Sequence, residues 1–155
     1  MTFRLTGIEQ SQYSPLFGLE TEALGALGVE RHLVSAPHAS PCRITLDDAA
    51  PGETVLLLNH AHQTANSPYA QSGPIYLREA AGPRFDRIDE IAPALARRVI
   101  SLRGFDDAGA MVEGELTDGA DLAALIERFW ANPRVAYAHA HYAKRGCFAA
   151  LVSRV

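Results

Sequence analysis

The chain has 155 residues, of which 48% are hydrophobic and 21% charged, values typical of a globular domain and unlike those of a disordered segment. Its formal net charge is −4 and its only lysine is Lys144, so it lacks the stripe of cations with which proteins bind nucleic acid. No stretch approaches the roughly 20 apolar residues of a membrane span, and residues 1–6 lack the layout of a signal peptide. We therefore expect a single cytoplasmic domain over residues 1–155, with neither a nucleic-acid nor a membrane partner.

The first half of the chain predicts strands and turns around one short helical region. Weak alternation predicts a strand over 2–8, and a serine–proline start followed by apolar positions predicts a helix or helical turns within 14–28. Further extended segments are expected over 29–35, 42–46, 53–60 and 75–79. The segment 53–60 is apolar on consecutive positions, which is typical of a central strand covered on both faces. Residues 61–74 are expected to form a long irregular loop, a kind of segment that often carries function.

The second half predicts a hairpin, a helix and two further strands. Asp-Asp-Ala-Gly at 106–109 is typical of a hairpin turn. Apolar residues at helical spacing over 122–130 predict a helix, capped by Asp118 or Thr117, that packs on a core and ends before Pro133. The strands of this half are expected over 95–105, 110–117, 134–142 and 147–154. The sum is an α+β fold, with a mainly antiparallel sheet and one or two helices packed on a face.

Two His-x-His pairs are the most distinctive feature of the sequence. Successive side chains of a strand alternate between its faces, so His139 and His141 share one face. His60 and His62 do the same if the strand that begins at residue 53 continues to residue 62. Neighbouring strands with aligned ends would bring all four imidazoles together. Imidazole binds transition metals and titrates near neutral pH, so the pairs fit a metal site, a metal-free polar pocket or unrelated histidines.

Two arginines are candidates for holding an anionic ligand. Arg43 lies in an otherwise apolar stretch and Arg78 closes an apolar strand. A guanidinium group offers a rigid set of donors that fits a carboxylate or a phosphate. The alternative is ordinary ion pairing, of Arg78 with Glu79 or of an arginine with Asp47 or Asp48.

The position of Cys147 relative to the histidines depends on the register of the last hairpin. With 143–146 as the loop, His141 lies opposite Phe148 and the thiol lies away from the histidines. A three-residue loop would place the thiol beside His141, where an imidazole can activate it. We favour the first register and expect Cys147, like Cys42, to be a reduced structural thiol.

Short motifs are spread over most of the chain: Pro41-Cys42-Arg43, Asp48-Ala49, Pro51-Gly52-Glu53, Val55-Leu56-Leu57-Leu58-Asn59, His62-Gln63, Ser67-Pro68-Tyr69, Ser72-Gly73-Pro74-Ile75, Arg78-Glu79, His139-x-His141 and Gly146-Cys147. This combination resembles a bacterial family known as domain of unknown function 1203. The resemblance implies a compact bacterial protein of about this length. It implies no activity, so no residue role is carried over with it.

Three functional hypotheses follow. The first is a small-molecule-binding protein or enzyme, whose pocket is built from Arg43, Asn59, His60, His62, Tyr69, Ser72, His139 and His141. In an enzyme, one of His62, His139 and His141 would be the general acid or base, and Arg43 would orient an anionic group. The second is a metal-dependent enzyme with the histidines as ligands of a transition metal. The third is a non-catalytic interaction module that acts as a homodimer.

Overall fold

The computed structural model describes residues 2–155, and within them it confirms the α+β fold with mainly antiparallel sheets. The strands are β1 (Phe3–Thr6), β2 (Glu30–Leu33), β3 (Thr54–Gln63), β4 (Gln71–Arg78), β5 (Asp86–Ile88), β6 (Val99–Phe105), β7 (Met111–Asp118), β8 (Tyr137–Tyr142) and β9 (Phe148–Arg154). The helices are α1 (Thr21–Ala26), α2 (Pro93–Ala96) and α3 (Leu122–Trp130). None of these helices has the length and apolar character needed to cross a membrane.

Six strands form one antiparallel sheet in the order β5-β1-β9-β8-β6-β7. Strands β7 and β8 both pair with β6, and the chain passes from β7 to β8 through α3. The buried stripe of α3, which includes Ile126 and Phe129, belongs to the same core as Ala138 and Ala140 of β8. Small side chains on this face of β8 let the helix approach the sheet closely.

The other three strands form a second sheet in the order β2-β3-β4, with β3 at its centre. Leu56 and Leu58 of β3 are buried in a second core, together with Phe148 of β9. The next residues of β9, Ala149 and Ala150, belong to the core under α3. Strand β9 therefore separates two apolar cores, and Phe148 belongs to the core on the side of the smaller sheet.

The long irregular loop expected over 61–74 is mostly strand, because the β3–β4 hairpin extends further than the sequence suggests. Strand β3 continues to Gln63 and β4 begins at Gln71, which leaves only 64–70 as loop. Glycine and proline at 73–74 resemble turn residues, yet Pro74 lies opposite Asn59 in the ladder. An edge strand tolerates a proline that cannot donate a ladder hydrogen bond.

The helix expected within 14–28 is broken into short pieces. Gln10–Gln12 and Ser14–Leu16 are 3-10 turns, and α1 follows only after Gly18, which has a φ of +76°. That left-handed backbone interrupts helical hydrogen bonding, and glycine adopts it readily.

The segment 42–46, expected to be extended, makes only isolated bridges to neighbouring chain. Its end at Leu46 has a φ of +53°, which turns the backbone out of the extended conformation.

Asp118 makes no side-chain cap, and α3 follows a 3-10 turn at Gly119–Asp121. Each difference reflects local backbone geometry that apolar spacing alone does not encode.

Candidate functional site

The structure brings the two His-x-His pairs together between the two sheets. The ring of His62, on β3, lies with its centroid 5.0 Å from that of His141 and 6.0 Å from that of His139, both on β8. His60 points to the same side of β3 and lies 5.8 Å from the ring of Phe148. The side-chain alternation expected from the sequence therefore places all four imidazoles around one region.

Phe148 is the centre of this region. Its ring stacks on His62, with centroids 5.1 Å apart and planes 8° from parallel. The rings of His139 and His141 meet it edge-on at 5.2 and 5.8 Å. Aromatic and imidazole rings at these distances form favourable offset and edge contacts, so the cluster is held by ring packing around one phenylalanine.

The four rings are neutral at neutral pH. His139 and His141 are almost fully buried and His60 is 7% exposed. Burial disfavours the charged imidazolium and lowers the pKa of His139 to about 3 and those of His60 and His141 to about 4. Burial also lowers the pKa of His62.

Hydrogen bonds orient three of the four rings. The hydroxyl of Tyr13 lies 2.7 Å from His60 Nδ1, and the amide oxygen of Gln71 lies 3.2 Å from His62 Nε2. His141 Nδ1 lies 2.9 Å from the carbonyl oxygen of Gly146. The Nδ1 atoms of His62 and His139 are buried and have no hydrogen-bond partner within residues 2–155.

No three His, Cys, Asp or Glu side chains of residues 2–155 are arranged to hold one metal ion. The hypothesis of a transition-metal enzyme therefore finds no ready ligand set in the histidine cluster.

Two side chains that the sequence analysis did not single out complete the polar face of the cluster. Arg103 of β6 lies directly opposite His139, and Ser101 lies directly opposite His141. The Arg103 guanidinium donates to the Ser101 hydroxyl at 3.3 Å and to Gln71 Oε1 at 3.4 Å. Ser101-x-Arg103 has the same two-residue period as His139-x-His141, but only the β6–β8 pairing makes the relationship visible.

Arg43 does not lie among the histidines. Its Nε donates to the carbonyl oxygen of Phe148 and its Nη1 to that of Pro41, both at 2.7 Å. Its guanidinium carbon lies 4.8 Å from the centre of the Tyr142 ring. The residue is 2% exposed, and no carboxylate of the described chain forms an ion pair with it. Burial accordingly lowers the pKa of this guanidinium.

Arg43 instead lines a cleft of about 980 Å³, which we call the Arg43 cleft. Its lining also includes Arg97, Arg98, Lys144 and Arg145, and, within residues 2–155, no aspartate or glutamate. The remaining lining residues are mostly apolar or small, among them those at 33–35, 39–41 and 74–76. The cleft is therefore a concave surface with an excess of positive charge.

Tyr142 stands between two arginines at the wall of the cleft. Its ring centre lies 4.8 Å from the guanidinium carbon of Arg43 and 5.1 Å from that of Arg98. Cations over an aromatic face are attracted by the ring. The hydroxyl of Tyr142 is buried and has no hydrogen-bond partner in the part of the chain that the structure describes, and burial raises its pKa to about 12.

Asp48 compensates part of the positive charge from behind the cleft. Its carboxylate accepts from Arg98 at 2.6 Å and from Arg97 at 3.1 Å, and its side chain is only 4% exposed. Burial favours the neutral acid, but these donors outweigh it and hold the pKa of Asp48 below its usual value. Asp47 also pairs with Arg97, at 3.4 Å. Asp47 and Asp48 therefore pair with arginines, as the alternative expected, but these arginines are Arg97 and Arg98 and not Arg43.

The register of the β8–β9 hairpin is the one we favoured. His141 is opposite Phe148 in the ladder, and the Tyr142 amide donates to the Cys147 carbonyl at 2.9 Å. Cys147 consequently lines the Arg43 cleft and is a free thiol, as is the buried Cys42.

Three further candidate residues lie away from the histidine rings. Asn59 and Ser72 are exposed, and strand alternation places them on the face of the hairpin opposite His60 and His62. Tyr69 is 42% exposed and its ring lies 6.5 Å from that of Phe105. Their ligand-binding roles stay predictions.

Arg78 is bound within the protein. It pairs with Glu53 at 2.6 Å, whereas Glu79, its expected partner, pairs with Arg31 at 2.6 Å. Arg78 therefore has no free charge to offer a ligand, in contrast to Arg43.

A family model described as "Protein of unknown function (DUF1203)" matches residues 39–154. The matched range includes both His-x-His pairs, Arg43 and the other arginines and the lysine of the cleft lining. No curated protein and no solved structure gives a match.

Proposed function

The chain belongs to the DUF1203 family, whose description names no activity, and we propose from its geometry that it binds a small anionic molecule in the Arg43 cleft. The ligand would carry a carboxylate or a phosphate group, the two anions that a guanidinium fits best.

The observation that carries this proposal is the buried, unpaired charge of Arg43. Placing a guanidinium out of contact with water is costly unless an anion or several acceptors compensate it. Arg43 has two main-chain carbonyls and the Tyr142 ring, but no anion among the described residues. No hydrogen bond within residues 2–155 uses its Nη2, an atom that is not among the fully buried ones without a partner. An anion that enters the cleft would supply a partner for this atom, and the low exposure of the guanidinium strengthens their attraction.

The size and charge of the cleft support the same function. A volume of about 980 Å³ lies within the range of small-molecule sites, which is roughly 300–1,000 Å³. Lys144 and Arg145 form no ion pair within residues 2–155 and lie exposed beside it. Concave surfaces lined by one sign of charge concentrate ligands of the opposite sign, even on a chain whose net charge is −4.

Calorimetric titration with inorganic pyrophosphate and with citrate tests the proposal with one phosphate and one carboxylate probe. The double variant Lys144→Gln/Arg145→Gln removes two charges of the cleft at exposed positions. The control Arg87→Gln/Arg134→Gln removes two exposed charges elsewhere. We expect roughly fivefold weaker binding in the first variant and an unchanged affinity in the second. No binding of either probe to the native protein, or equal losses in both variants, would overturn the proposal.

The other two hypotheses, a metal-dependent enzyme with the histidines as ligands and a non-catalytic homodimeric interaction module, stay predictions.

A further inference from the structure

The histidine cluster lies outside the Arg43 cleft and has a polar face of its own. We call this the Arg103 face: Ser101 and Arg103 of β6, His139 and His141 of β8, and His62 of β3. Directly opposed residues of an antiparallel pair present their side chains on the same face of the sheet. Ser101, Arg103 and His62 are partly exposed, whereas the neighbouring side chains of His139 and His141 are buried.

Arg103 is a second guanidinium without an ion-pair partner in the described part of the chain. The acidic residues of the neighbouring strand are occupied elsewhere: Glu113 accepts from Asn132, and Glu115 pairs with Arg128. The remaining contacts of Arg103, to Ser101 and Gln71, are long at 3.3 and 3.4 Å. Its donors are therefore largely available to an anionic group.

Arg103 offers only hydrogen-bond donors, whereas the neutral imidazoles beside it also offer acceptors. A carbonyl oxygen can only accept, so His141 Nδ1 carries the hydrogen that it donates to Gly146. In the neutral ring, Nε2 is then an acceptor, and no residue of the described chain donates to it. His139 makes no hydrogen bond within residues 2–155, and its Nδ1 is buried. A neutral imidazole always has one acceptor nitrogen, so this ring too has an unused one.

We propose that the Arg103 face binds a small carboxylic acid that carries a hydroxyl group. The carboxylate would accept hydrogen bonds from Arg103, and the hydroxyl would donate one to an imidazole nitrogen of His141 or His139. A ligand with both groups would engage the donors of Arg103, whose present bonds are long, and an imidazole acceptor that no described residue uses. A metal cation would also use the imidazole acceptors, but it would be repelled by the adjacent guanidinium.

Malate and succinate are a matched pair of probes, because they differ by one hydroxyl group and carry the same charge. Both acids can also enter the Arg43 cleft, so variants of the two sites decide which of them a preference for malate reports on. Calorimetry should show malate binding to the native protein about fivefold more tightly than succinate, the contribution of one hydrogen bond. In Arg103→Gln the preference should vanish, whereas Lys144→Gln/Arg145→Gln should retain it.

Nitrogen-15 NMR spectra of the histidine rings test independently whether malate contacts the imidazoles. Malate should shift the imidazole resonances of His139 or His141, and succinate should leave them in place. Equal affinities for the two acids in the native protein, or a preference that persists in Arg103→Gln, would overturn the proposal. So would imidazole resonances that respond to zinc but not to malate. Binding of pyrophosphate is measured separately, so a failure here is distinct from a failure of the Arg43 cleft.

Discussion

Arg43 and Phe148 are joined by a hydrogen bond of 2.7 Å from the guanidinium Nε to the main-chain carbonyl oxygen. The ring of the same phenylalanine stacks on His62. One residue at the start of β9 therefore holds the charged group of the Arg43 cleft with its backbone and supports the histidine cluster with its side chain. The two candidate sites are neighbours that share Phe148, and they are not one pocket.

Phe148→Ala should destabilise the protein by about 3–5 kcal/mol, the usual cost of deleting a buried phenylalanine ring. The ring is 6% exposed and contacts four imidazoles, so its removal leaves a cavity among polar rings. Phe148→Leu conserves most of the volume and should cost about 1.5 kcal/mol. Urea denaturation measures both values. Equal losses in the two variants would contradict this account, because they would show that filling the cavity with a leucine side chain recovers no stability.

The free energy of unfolding should rise with pH between about 4.8 and 6.5, because the unfolded chain binds protons that the folded histidines do not. Burial lowers the folded pKa of His139 to about 3 and those of His60 and His141 to about 4, against about 6.5 in the unfolded state. Their neutral forms therefore contribute stability that is full above pH 6.5 and declines as the pH falls.

Between about pH 4.8 and 6.5, each of these buried histidines should increase the free energy of unfolding by at most about 1.4 kcal/mol per pH unit. Urea denaturation at several pH values measures the slope, and His139→Phe should reduce it. The lower limit of this pH window excludes the titration of carboxylates. Arg31, for example, lowers the pKa of Glu79 to about 2, and the stability that this carboxylate contributes is lost below about pH 4.5. A flat profile would contradict the buried, neutral cluster.

Asp48→Asn should destabilise the protein by about 3 kcal/mol, because it leaves the partly buried Arg98 without its anion. Asp47→Asn is the matched control. The side chain of Asp47 is 51% exposed, against 4% for Asp48, and its loss should change stability by less than about 0.5 kcal/mol. Thermal and urea denaturation at pH 7 compare the two. Equal effects would show that the Asp48–Arg98 pair is not a structural anchor.

Side-chain periodicity was sufficient to predict the parts of this molecule that repeat regularly. The apolar stripe of α3 and the alternation at His60/His62 and His139/His141 appear in the structure as expected. The hairpin loop at 143–146 also gave the correct register. These features depend on neighbouring residues, whose spacing is visible in the chain.

Features that depend on contacts between distant segments were not predictable in the same way. The sequence groups Arg43 with the histidines, but its guanidinium donates to the carbonyl oxygen of Phe148, a residue 105 positions away, and lines a separate cleft. The sequence does not reveal Arg103 as a site residue, because its proximity to His139 follows from the β6–β8 pairing. The separation of the strands into two sheets likewise follows from packing. Each strand would show the same side-chain alternation in one sheet or in two, so its sequence does not distinguish the two arrangements.

The most direct test of the Arg43 cleft is a crystal of the native protein soaked in selenate, an anion whose selenium is located by anomalous scattering. We predict a selenium peak inside the cleft, with an anion oxygen about 2.8–3.2 Å from Arg43 Nη2. A map in which the cleft holds no anion, while selenate occupies only exposed arginines such as Arg87 or Arg134, would contradict the account.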